Sequence, residues 1–179
     1  MIRWPALVVA EAAPHDAYHL REPAETDAEA LHVLFSAAAV TRYIPPPPAS
    51  VAAWKKWMAA RHLDGTLASF ALVQRTTGDN TCGLVQIAPC PYEPGALMWG
   101  AVFAERTWGT GLFQAVAAAA VDIAQRQLEA SALKAWIATD NGRARVAFGR
   151  LPGIALTHVE DTLCPDGRTG AFVIATIRF

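Results

Sequence analysis

The residues with the clearest capacity for chemistry are Trp108-Gly109-Thr110-Gly111, set between a short apolar run (Met98 to Phe103) and a long run of strong helix formers. That order reads as strand, glycine turn, helix. Glycines remove the side chains that would hold a ligand off the backbone, and the first N–H groups of a helix have no internal partner. The aligned peptide dipoles add roughly 0.3 to 1 kcal/mol in favour of negative charge there, so a phosphate or pyrophosphate is the expected guest. The competing reading is an ordinary strand-to-helix corner. Gln114 stands where the third glycine of G-x-G-x-x-G would fall, and no G-x-x-x-x-G-K-S/T occurs, so the dinucleotide-binding turn and the nucleotide-hydrolase loop both fit poorly.

A strand, then Q/R-x-x-G-x-G/A, then a helix is the hallmark of the GCN5-related N-acetyltransferase (GNAT) superfamily, which this sequence resembles, and within it the branch that acetylates ribosomal-protein N-termini and related amines. Arg106 to Gly111 meets the pattern literally, whereas Trp108 to Phe113 keeps the usual distance from the strand. The second register is preferred. It substitutes Trp108 for Gln/Arg and Phe113 for Gly/Ala, changes that leave the backbone donors in place. The opening Leu20-Arg21-x-Pro23-x-x-x-Asp27 is also common in that branch.

The resemblance implies an α/β fold of the α+β type, with a mixed, mostly antiparallel twisted sheet of about six to seven strands and about four flanking helices. It implies acetyl-CoA as co-substrate, with no metal, contacted by Val102, Phe103, Ala104, Trp108, Gly109, Thr110, Gly111, Leu112, Phe113 and Asn141. Asn141 matches the family's asparagine after the next strand, although Ala144 replaces the serine of N-x-x-S and Arg150 to Ile154 replaces its K-x-G-F. Arg143, Arg145 and Arg150 are read either as ribose-phosphate contacts or as solvated helix charges. The loop and helix pair near the N-terminus form one wall of the family's acceptor pocket, which nominates Arg42, Tyr43 and Trp54, with Trp99 from the strand. The implied reaction is direct attack of a primary amine on the thioester, assisted by strand N–H groups near Val102 to Ala104. The family's acid, a tyrosine, is replaced near its place by Phe148, and Met98 and Trp99 stand where an acidic residue is usual. Asn141 and Glu93 are therefore the nominated catalytic residues, with Glu105 the other nearby carboxylate. These absences keep a second expectation open, a non-catalytic acyl-CoA-binding sensor or interaction module.

At 179 residues the chain is long enough for one domain that buries roughly 70% of its unfolded surface. The expected division is an N-terminal extension or edge strand over 1–17 and a single domain over 18–179. A formal charge of -1 argues against general nucleic-acid binding. Three cysteines without C-x-x-C, and five histidines without H-x-x-x-H, suggest buried thiols and no metal site. Arg3 followed by Trp4 to Ala10 is too short for a signal peptide and is interrupted by Pro5, and no apolar run reaches the 18 or so residues of a membrane span. The expectation is a cytoplasmic protein that meets acetyl-CoA and an amine acceptor and no membrane, with homodimer formation left open.

The elements that must position these residues follow in order. Tyr18 to Arg21 reads as a strand, and Thr26 as the cap of a helix from Asp27 to about Ala38, with Glu29 completing a capping box. Ile44-Pro45-Pro46-Pro47-Pro48 is a stiff loop, after which Ser50 caps a second helix. Ser69 to Gln74 and Cys82 to Ala88 should form a hairpin about the turn Thr76 to Asn80. Beyond the glycine corner come a helix from Gly111 to Glu129, apolar almost all round at its start, a strand from Leu133 to Thr139, and a short helix to Arg150. Strands near Leu156 to Asp161 and Ala171 to Arg178 close the chain.

Overall fold

Seven strands form one sheet in the order β1-β2-β3-β4-β5-β7-β6. A computed structural model describes residues 18–64, 68–74 and 80–179, with side chains outside 61–79. The extension or edge strand expected over 1–17 and residues 76–79 of the expected turn lie outside the described residues. The strands are β1 (Tyr18–Arg21), β2 (Ala68–Gln74), β3 (Asn80–Pro89), β4 (Ala96–Phe103), β5 (Ala132–Ala138), β6 (Ala155–Leu163) and β7 (Thr169–Arg178). Every neighbouring pair is antiparallel except β4 and β5. The helices are α1 (Ala28–Leu34), α2 (Ala38–Thr41), α3 (Val51–Asp64), α4 (Leu112–Asp122) and α5 (Gly142–Gly149). This is the mixed, mostly antiparallel sheet with flanking helices that the sequence implies.

Local chemistry accounts for most boundaries. Ser50 caps α3, its Oγ accepting from the Ala53 N–H at 3.1 Å. At α1 neither Thr26 nor Asp27 caps the helix with its side chain. The chain turns through a 3-10 segment at Glu25–Asp27, and the Asp27 carboxylate, not Thr26, accepts from the Ala24 N–H at 2.6 Å. That carboxylate is buried at 3% exposure. Arg21 grips it with two hydrogen bonds of 2.6 and 2.7 Å, and the Thr81 hydroxyl donates to it from β3. Burial by itself would raise the Asp27 pKa; the bonds from Arg21, Thr81 and Ala24 outweigh it and hold the carboxyl below its ordinary value. The helix expected to reach Ala38 breaks after Leu34, where the Ser36 hydroxyl donates to the His32 carbonyl at 2.7 Å and competes with the backbone ladder.

α4 ends in a widened turn at Ile123–Gln127, closed by a Leu128 N–H bond to the Ile123 carbonyl at 3.1 Å, so the expected helix to Glu129 changes pitch before its end. Its buried side is made of Leu112, Ala115, Val116, Ala117, Ala119 and Ala120, while Ala118 is exposed. The helix is covered on most of its perimeter rather than all of it. The core joins these residues to Leu31, Trp54, Ile87, Trp99, Leu133 and Ile137 in one cluster. Across the sheet, Cys90, Ala96 and Ala132 form a separate small cluster beside Met98. No helix among the described residues is long and apolar enough to cross a membrane.

Candidate active site

The parallel join between β4 and β5 is short. Ala96 to Met98 face Ala132 to Lys134, and the ladder stops there, while β4 continues against β3 in unbroken register to Phe103. Strand alternation identifies the main-chain groups along the gap. The Ala96 carbonyl accepts from the Cys90 N–H and the Ala104 N–H donates to the Cys82 carbonyl, so even-numbered residues of β4 face β3 and odd-numbered ones face β5. On β5 the Thr139 N–H donates to the Ala171 carbonyl and the Ser131 carbonyl accepts from Phe179, so the even-numbered residues face the gap. The seam is therefore edged by the backbone of Trp99, Ala101 and Phe103 on one side and Trp136 and Ala138 on the other. Of the residues expected to offer N–H groups, Phe103 faces the seam. Val102 faces β3, and the Ala104 N–H is engaged by Cys82 at 2.8 Å.

At the end of β4 a 3-10 turn (Glu105–Thr107) leads into the glycine corner. Three side chains brace it: the Thr107 hydroxyl donates to the Ala104 carbonyl at 2.8 Å, the Thr110 hydroxyl to the Thr107 carbonyl at 2.8 Å, and the Trp108 indole N–H to the Phe103 carbonyl at 3.0 Å. Gly109 and Gly111 stand at φ +76° and +85°, where a Cβ is disfavoured. Both are exposed, and a Cβ on Gly109 would meet nothing within 4 Å. Gly111 begins α4 with no side chain capping the helix, and its carbonyl receives the N–H groups of Gln114 and Ala115. The N–H groups of Leu112 and Phe113 precede that ladder, at the positive end of the helix dipole. The corner is thus open, glycine-lined and rich in backbone donors, which fits a pyrophosphate.

The far side of the seam is built by the turn after β5. Asn141 caps α5, its Oδ1 accepting from the Ala144 N–H at 3.1 Å, and its own N–H donates to the Ala138 carbonyl at 2.9 Å. In the first turn of α5, Arg143 lays its guanidinium over the Trp108 ring at 3.5 Å, joining the chain after β5 to the chain after β4. Beneath them the rings of Trp99, Phe113 and Phe148 pack mutually at 4.9 to 5.8 Å, with Phe103 against Phe113 at 6.3 Å. Phe148 is buried in this cluster. Arg145 donates to the Thr139 carbonyl at 3.0 Å.

The nominated acceptor residues separate. Tyr43 reaches the seam's open end, its hydroxyl donating to the Asp140 carbonyl at 3.2 Å, with Arg42 over its ring at 5.1 Å. Its own carbonyl accepts from Arg168 at 2.6 Å, in the β6–β7 turn. Trp54 is 2% exposed, packed tilted against Phe35 and edge-on against Trp57, with its Nε1 buried without a partner among the described residues. Trp99 is buried on the α4 side. Glu93 is clasped by Lys134 and, at 2.9 Å, by Arg178; these two cations, Lys134 foremost, hold its carboxyl below the ordinary range. Both of its oxygens are engaged, an arrangement suited to an ion-pair anchor and opposite to what a base needs. The thiols of Cys82, Cys90 and Cys164 are buried and free, and burial pushes Cys82 up to about 11, well outside the range of a nucleophile.

Sequence reasoning missed the face of the sheet opposite α4. There a cavity of about 420 Å³ is lined by Cys90, Tyr92, Lys134, Trp136, Thr162, Leu163 and Ile174. Trp136 packs on Tyr92 at 6.1 Å and on Phe172 at 5.7 Å. The only signal in the sequence is the alternation of Lys134 and Trp136 with the core residues Leu133, Ala135 and Ile137.

A sheet parted between two parallel strands, with an uncapped glycine corner opening the helix behind the gap, defines an acyl-CoA-dependent transferase. Residues 18–151 match the model of the acetyltransferase (GNAT) domain. The chain belongs to the GNAT family of acetyl-CoA-dependent N-acetyltransferases. No curated protein sequence matches it. Among solved structures, Mycobacterium smegmatis RimJ in complex with CoA-disulfide is similar at TM-score 0.76 and 17% identity, covering 96% of this chain and 85% of that one. Vibrio cholerae spermidine N-acetyltransferase in complex with CoA and spermine is similar at TM-score 0.76 and 17% identity, covering 91% and 96%. The ribosomal-protein-S5-alanine acetyltransferase of Vibrio fischeri is similar at TM-score 0.75 and 14% identity, covering 90% and 93%.

Proposed function

We propose that this protein transfers the acetyl group of acetyl-CoA to a primary amine by direct attack within a ternary complex. The observation that carries the reading is the parting of β4 from β5 after Met98 and Lys134, directly ahead of the open corner at Gly109 and Gly111. In this reading the backbone of Gly109, Thr110 and Gly111 and the first N–H groups of α4, at Leu112 and Phe113, hold the pyrophosphate. Trp108 sets the corner's position through Phe103, and Arg143 beside it adds positive charge. The co-substrate supplies the activated thioester. The seam-facing N–H groups of Ala101 and Phe103, beyond the last β4–β5 pair, are the donors available to the carbonyl oxygen as charge grows on it. With Oδ1 of Asn141 held by α5, its amide hydrogens remain to donate to the donor's pantetheine arm. Holding both reactants in the seam supplies several kcal/mol of barrier reduction without a dedicated catalytic side chain. Similar structures named for acting on spermidine and on ribosomal protein support an amine as the acceptor class.

A second reading, acyl-CoA binding without transfer, is favoured by Phe148, which fills the aromatic cluster at the place of the family's acidic tyrosine. Thermal unfolding with CoA and thiol release from acetyl-CoA over a panel of amines and peptide N-termini separate the two. Stabilisation with acceptor-dependent release supports transfer. Stabilisation with no release across the panel supports the sensor, and no stabilisation at millimolar CoA refutes both.

A further inference from the structure

The cavity on the sheet face opposite α4 reaches the seam at Trp136. Lys134 is the last residue of β5 paired with β4, and Trp136 lies just beyond it with its main chain facing the gap. Leu133, Ala135 and Ile137, which alternate with them, are buried in the main core with Val116 and Ala120, so Lys134 and Trp136 point to the other face. A molecule in this cavity borders the gap from the side away from the glycine corner.

The walls state what such a molecule must be. Tyr92, Trp136, Leu163 and Ile174 dominate, and an aromatic rail continues from Trp136 through Phe172 to Arg168, whose guanidinium lies 5.8 Å over the Phe172 ring and donates to the Tyr43 carbonyl. At the rim Lys134 and Arg178 share the single carboxylate of Glu93, leaving one positive charge in excess. Asp166, near the rail, is bound to Arg168. A chain of several ammonium groups would meet cations and apolar surface here, at a cost in both desolvation and repulsion. An amine carried on one aromatic or branched aliphatic group would bury that group against Trp136 and Leu163.

We infer that this cavity is the acceptor subsite, and that the acceptor is an amine with a single aromatic or branched aliphatic body and no second ammonium group, either a free amine or a peptide N-terminus. The inference rests on the transferase reading for the identity of the reaction, and on the cavity alone for the chemistry of its occupant. The mouth residues Tyr92 and Leu163 are 58% and 54% exposed, so substitutions there leave the core intact.

The test measures dissociation constants calorimetrically on the full chain with saturating CoA, using phenylalanine amide, a phenylalanine-initiated tripeptide and spermidine. The expected result is that one of the phenylalanine ligands binds at least about tenfold tighter than spermidine, the better of the two identifying free amine or peptide as the source. Leu163→Asp should weaken that ligand about tenfold and tighten spermidine, and Tyr92→Ala should weaken the phenylalanine ligand alone. Any other ordering, or indifference of binding to both substitutions, overturns the assignment. Thiol release measured in parallel decides the reaction separately: selective binding without release supports this subsite and refutes transfer.

Discussion

Gly109 offers a test of the anion site with its own control. Its φ is +76° and a Cβ there would meet nothing within 4 Å, so Gly109→Ala and Gly109→Asp both incur backbone strain of about 1 kcal/mol and share a Cβ that fits. Their difference in CoA affinity isolates the carboxylate. Two unit charges about 5 Å apart interact by about 3 kcal/mol at an effective dielectric near 20. Because the corner is exposed, screening reduces this to about 1.5 kcal/mol, roughly tenfold in Kd at about 0.1 M salt. Thermal unfolding with CoA reads the effect. Ligand at about 100 times its Kd adds about 2.7 kcal/mol, or roughly 5 to 10 °C in Tm for a domain of this length. At about 1 M salt, where the screening length falls to about 3 Å, the two variants should converge. Equal affinities at low salt, or a gap that persists at high salt, would refute the placement of the pyrophosphate.

Asp27→Ala leaves Arg21, Thr81 and the Ala24 N–H without their shared acceptor, and should lower stability by about 3 kcal/mol in urea unfolding; a loss under about 1 kcal/mol would mean that solvent replaces the carboxylate. Because the native Asp27 pKa lies below the unfolded value, its stabilisation is complete above about pH 4 and is lost as pH falls through the native pKa, so Asp27→Asn should flatten the acid limb of the stability profile, and an unchanged limb would count against the network. Glu93→Gln should leave kcat within about threefold, since Lys134 and Arg178 already hold the carboxylate ionised; a fall of about 100-fold or more would restore it as a base.

Local chemistry was legible wherever it was decided locally. Ser50 at the head of a helix and glycines after an apolar strand carry their meaning within a few residues, and both elements fold as their composition implies. Thr26 and Asp27 show the limit. Thr26 reads as the cap, yet the helix entry is set by Asp27, because Arg21 and Thr81, one of them distant in sequence, converge on its carboxylate while it accepts from the Ala24 N–H. The same limit hid the cavity. Trp136 and Ile174 read as ordinary alternating strand residues, and only the pairing of β5 with β7 brings them to one wall. Glu93 read as a loop carboxylate near the chemistry, whereas its state is set by Lys134 and Arg178 from two strands that no local pattern connects to it.

The brevity of the β4–β5 join bears on how the molecule is assembled. Strands β2 to β4 form a meander of neighbours in sequence with β1 added at the edge, and β5, β7 and β6 form a second unit in which the β6–β7 hairpin is local. Three register positions, spanned by α4, are the backbone ladder between them. Antiparallel neighbours close short loops early, whereas a parallel pair must wait for its crossover helix. The width of the gap depends on α4, on the ring cluster beneath it and on the Arg143–Trp108 contact at its mouth, with the Glu93 ion pairs to Lys134 and Arg178 and the Tyr43 bonds to Asp140 and Arg168 joining the units elsewhere, so substitutions in those places adjust the spacing between the two units.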